Sequence, residues 1–80
     1  MPRYERALTV YRDGRLIVEA TRELAVQHDN LRWLREDLEE ALLDLKLAWL
    51  DLDTTQLDDH LIEVMVFIAD IRRFVQGLSE

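Results

Sequence analysis

Between Gln27 and Asp53 the chain contains no β-branched residue, no glycine and no proline. Val, Ile and Thr are the residues that fit a pleated strand, and Gly and Pro are the ones that end a helix. A segment of this length without any of them has little option but to be helical. The rest of the chain adds little to the loop vocabulary: two glycines, one proline and one serine in all. A chain of 80 residues built this way reads as one small domain, 1–80, of two or three long helices joined by short turns.

The last helix is predicted over about 55–76. Leu57, Leu61, Val64, Met65, Ile68, Ile71 and Val75 recur at helical spacing, Thr55-x-x-Asp58 resembles a capping box, and Arg72 and Arg73 oppose the negative helix end. Gly77 is placed to terminate it, with Leu78 closing over the end. The middle helix is predicted over about 30–52, capped by Asn30 or Asp29, with an apolar stripe of Leu31, Leu34, Leu38, Leu42, Leu45, Trp49 and Leu52.

The first third supports two readings. Ala7, Val10, Tyr11, Gly14, Ile17, Val18, Thr21, Leu24, Ala25 and His28 make a continuous helical stripe. Yet Asp13-Gly14 lies between the β-rich runs 8–11 and 16–18, which is a local hairpin signal. The helix is the favoured reading, because the strands would be apolar on both faces. The expected architecture is therefore an all-α three-helix bundle with turns near 27–30 and 52–55. The alternative replaces the first half of helix 1 by a β-hairpin at about 7–19.

Charge is unevenly spread. The chain carries a net charge of −7 and a pI near 4.7; residues 1–35 hold +2 and residues 36–70 hold −10. An acidic body with Glu36, Asp37, Glu39, Glu40, Asp44, Asp58, Asp59 and Glu63 on its surface argues against direct nucleic-acid binding and favours a basic protein partner. A row of carboxylates also imitates a row of phosphates, so an acidic nucleic-acid mimic that inhibits a DNA- or RNA-binding protein is a second reading. With no cysteine, disulfides, thiolate metal sites and cysteine nucleophiles are excluded. No apolar run approaches the ~20 residues of a membrane span, and Met1–Arg6 has no apolar leader region, so a cytoplasmic protein with no membrane contact is expected.

More residues are apolar than one small bundle needs. Leu43, Leu47 and Leu50 form a second stripe on the middle helix, beside Trp49, and Ile62, Val66, Phe67 and Phe74 lie outside the main stripe of the last. A helix in an 80-residue monomer should be wet on one side. These eight positions are therefore the expected interface of a homodimer or higher homo-oligomer.

The chemistry-bearing residues are few. His60 and Glu63 are neighbours at i, i+3, and Asp59 and Glu63 at i, i+4; such a set could ligate a divalent cation, but surface helices are rich in Asp and Glu. His28 falls at the first turn, where a capping or half-buried polar role is expected. Ser79 is the sole serine and Lys46 the sole lysine, leaving no nucleophile with a partner, and no glycine-rich phosphate loop exists. Glu36-x-x-Glu39, overlapped by Asp37-x-x-Glu40, resembles the first half of the E-x-x-E … E-x-x-D pattern of the MazG-type all-α nucleotide pyrophosphohydrolases. That resemblance covers roughly residues 36–70. It implies Mg²⁺ held by four carboxylates and hydrolysis of nucleoside triphosphates to monophosphates. In place of the second half stand Asp59-x-x-x-Glu63 and His60-x-x-Glu63.

The reading that best uses the residues is a non-enzymatic helical interaction module. It self-associates and binds another protein as a small adaptor, regulator or inhibitor. No catalytic residue, cofactor or metal site is assigned.

Overall fold

Three helices account for nearly all of the computed structural model, which describes residues 3–51 and 53–79: α1 (Arg3–Gln27), α2 (Asp29–Leu50) and α3 (Thr54–Ser79). Among the described residues there is no strand. Consecutive helices are joined by His28 and by the short stretch between Leu50 and Thr54, and the cross-helix contacts of Arg15 with Glu39 and of Gly14 with Leu42 run antiparallel. The bundle is 39 Å long, which is the length of α3 at about 1.5 Å per residue.

The helical stripes close on one another as their spacing predicts. Ala7, Val18 and Ala25 of α1, Leu31, Leu38, Leu42 and Leu45 of α2, and Leu57, Leu61, Val64, Ile68 and Ile71 of α3 are buried. Val10, Tyr11, Ile17, Leu24, Leu34 and Val75 pack partly buried against that core. Met65 departs from the pattern and is largely exposed, because it lies at the α1-facing edge of the α3 stripe, beside Val10 and Asp13. Leu52 lies outside the described residues. Thr21 is the one polar residue of the buried set among the described residues; its Oγ1 donates to the backbone oxygens of Ile17 and Val18, so its hydroxyl needs nothing from the core.

The hairpin alternative at 7–19 is overturned: residues 3–27 are one uninterrupted helix. What decides it is Gly14. The position lies on the buried stripe where α1 crosses α2, and a Cβ there would come within 2.7 Å of Leu42 Cδ2. Glycine at this place lets two helices approach, and Asp13 beside it pairs with Arg72 of α3 at 3.3 Å instead of shaping a turn. Gly77 has open space around it, with nothing within 4 Å of where a Cβ would lie. The two glycines should therefore respond oppositely to alanine. Gly77→Ala gains helix propensity and should raise stability by up to about 1 kcal/mol, read as a higher urea midpoint. Gly14→Ala gains the same but forces the fully buried Leu42 out of place, and should lower stability by about 1–2 kcal/mol net.

Helix ends differ from the sequence expectation. α2 begins at Asp29, with His28 as the cap residue in extended conformation (φ −131°, ψ 98°) and no side-chain capping bond, so neither Asn30 nor Asp29 is the cap. His28 works through its backbone: its N–H donates to the Leu24 carbonyl and its own carbonyl accepts from Leu31 and Arg32. At α3 the cap is Asp53, whose carboxylate accepts the Gln56 N–H at 3.2 Å; Thr55 is already inside the helix and exposed. A carboxylate there also suits the positive end of the helix dipole. Gly77 does not end α3, which continues to Ser79.

Candidate functional site

The outer face of α2 is the feature that the core leaves unused. Nine residues at about 100° each put Leu47 on the side of the helix opposite the buried Leu38. Leu43 and Leu50 lie within a narrow arc of it, at i−4 and i+3. Their exposures are 55, 50 and 67% for Leu43, Leu47 and Leu50. Toward the N-terminal end of the same face stand the exposed Glu36 and Glu40 and the exposed Trp33. α3 carries a shorter stripe of the same kind, Ile62 and Val66, likewise more than half exposed and pointing away from its core residues.

Of the eight expected interface positions, then, five lie open on the surface. Trp49, Phe67 and Phe74 do not: they are half-buried and packed against the core. Trp49 lies on the main stripe that spacing gives α2, whereas the rings of Phe67 and Phe74 reach over the edge of the bundle from helix positions that spacing places outside the stripe of α3. Surface apolar residues that the sequence did not single out are Leu16 and Val26 of α1, at 68 and 84% exposure.

The expected acidic surface is only partly gathered. Asp37, Glu40 and Asp44 of α2 line a groove of about 240 Å³ with Glu63 and Phe67 of α3, because 37, 40, 41 and 44 share the α3-facing side of α2. The other four are dispersed. Glu36 pairs with Arg32 at 3.3 Å on the helix surface, and Glu39 turns to the other side of α2, where Arg15 of α1 lies 3.9 Å away. Asp58 and Asp59 stand near the start of α3, outside the groove. His60 Nδ1 lies 3.4 Å from Glu63 Oε2 on the surface of α3. Among the described residues no three histidine or carboxylate side chains converge closely enough to hold a metal ion. The two overlapping pairs of the E-x-x-E resemblance take different sides of α2: Glu39, of the Glu36/Glu39 pair, lies toward α1, while Asp37 and Glu40 together line the α3-facing groove. All of these ion pairs are solvent-exposed and worth about 0–1 kcal/mol each.

A second concavity lies at the corner where α1 hands over to α2. Arg22, Ala25 and Val26 from the end of α1 meet Asp29, Arg32 and Arg35 from the start of α2 around a volume of about 310 Å³. Reading the sequence by charge segments missed it, because the segment sum around the turn is nearly neutral. The available signal was the i, i+3 spacing of Arg32 and Arg35.

No protein-family model, no curated protein and no solved structure matches this chain. No helix of the described residues is long and apolar enough to cross a membrane.

Proposed function

We propose that this protein is a helical association module that pairs with a second copy of itself through the outer face of α2. The observation that carries the reading is the solvent-facing leucine row, Leu43, Leu47 and Leu50, on a helix whose opposite side already fills the core. A contiguous apolar row on a small acidic protein favours contact with another apolar surface over water. A second copy offers an identical row, and a two-fold contact sets the two rows against each other. The flanking Glu36 and Glu40 then sit at the edge of the contact, where they remain hydrated.

The assembled protein keeps the α2–α3 groove open. Asp37, Glu40, Asp44 and Glu63 beside Phe67 suit a basic segment of another protein, which is the basis for reading the module as an adaptor or inhibitor. Molar mass from size-exclusion chromatography with light scattering, at low and high salt, tests the reading. The expected result is a multiple of 9.5 kDa that does not fall with salt, since apolar contacts are not screened. A mass of 9.5 kDa at all concentrations would refute it.

A further inference from the structure

We propose that the arginine-lined corner between α1 and α2 is a binding pocket for a phosphate group, free or as the head of a small phosphomonoester. Three arginines, Arg22, Arg32 and Arg35, line one concavity of about 310 Å³, with Asp29 the one acidic residue of the lining. The chain has 17 acidic residues for 10 basic ones, so unpaired arginines facing a common hollow are not a by-product of composition. Among the described residues Arg22 and Arg35 form no ion pair, and Arg32 gives only its Nε, to Glu36 at 3.3 Å. Its terminal nitrogens are left to point elsewhere.

A further observation separates this corner from an ordinary solvated patch. Nε of Arg35 is buried and has no hydrogen-bond partner. A guanidinium edge presents Nε and one terminal nitrogen as a fork that matches two oxygens of a phosphate, and a phosphate in the hollow would satisfy the orphaned donor once the Arg35 side chain turns toward it. Ala25 and Val26 supply an apolar wall on which the organic part of a monoester can rest. The net negative charge of the chain does not forbid it, because at physiological salt charges beyond about 8 Å are largely screened. The pocket is separate from the leucine row of α2 and does not depend on self-association.

The test is a titration of the whole protein with inorganic phosphate and with phenyl phosphate, against sodium chloride at matched ionic strength. The readouts are thermal stability and the Nε–H resonance of Arg35 in ¹H–¹⁵N spectra. A saturable shift of that resonance is expected, with a rise in Tm of roughly 5–10 °C at ten times the half-saturating concentration. Tighter binding of phenyl phosphate would make the ligand a monoester; equal binding would make it the free anion. Arg35→Gln and the exposed Arg22→Gln should each weaken saturation at least tenfold, whereas Arg73→Gln, which removes the same charge on the outer side of α3, should leave it unchanged. A response to phosphate no larger than to chloride, or one equal in all three variants, overturns the proposal. So does a change of molar mass in the Arg22 and Arg35 variants without a phosphate response, which would assign these arginines to the contact between copies.

Discussion

Leu47→Asp is expected to leave a folded, helical protein of 9.5 kDa where the parent has a multiple of that mass. Leu47 is half exposed and makes no part of the buried core, so the monomer loses little. Substitutions at such surface positions usually change stability by no more than about 0.5 kcal/mol. The associated state loses far more. Burying a leucine side chain contributes about 1.5–3 kcal/mol when burial is complete, and a two-fold contact counts the substitution twice. The two introduced carboxylates would also repel each other across the contact, with the exposed Lys46 beside each the cation nearest in the chain. A loss of ~3 kcal/mol is already more than a hundredfold in the dissociation constant. Light scattering gives the mass and circular dichroism the fold. An unchanged mass would place the contact elsewhere, with Ile62 and Val66 of α3 the next surface to substitute.

Leu45→Ala, two positions away, is expected to do the opposite: to destabilise the protein severely through its own core. Leu45 is fully buried where α2 packs between α1 and α3. Removing its branched end leaves a cavity that rigid neighbouring helices fill only in part, at about 2–5 kcal/mol. A domain of 80 residues has roughly 4–12 kcal/mol in total. Each kcal/mol shifts its Tm by about 4–8 °C, so the melting point should fall by at least about 8 °C. The comparison with Leu47→Ala is the informative one, since the chemistry is identical and only the face differs. A Leu45→Ala melting curve within about 3 °C of the parent, less than 1 kcal/mol would produce, would mean that the core lies elsewhere around α2.

How far these features could be read from the residues depended on how local their causes are. The three buried stripes follow from spacing, and so does the leucine row, because Leu43 and Leu47 are far round the helix from Leu38 and Leu42. Asp13-Gly14 is ambiguous for a physical reason: the glycine serves a close approach to Leu42, far along the chain, which no local pattern announces. The helix ends turn on competition between neighbouring polar residues. Asp53 captures the Gln56 N–H and so takes the capping place expected of Thr55, and His28 breaks the chain by backbone conformation alone. Phe67 and Phe74 escape the spacing argument because a ring's reach is not a property of its position on the wheel, whereas Trp49 follows the stripe on which spacing places it. The arginine corner needs Arg22 to be folded back against Arg32 and Arg35, a contact that exists only once the α1–α2 turn is made.

The single-residue connection at His28 bears on how quickly this chain reaches its native state. Closing a short loop costs little entropy, and contacts near in sequence form before distant ones. α1 and α2 can thus zip together from their shared corner, and α3 can add across the turn at 51–53. Helical bundles dominated by such local pairings fold in microseconds to milliseconds. The core leucines are therefore exposed only briefly during folding, which limits irregular aggregation of a sequence this rich in leucine.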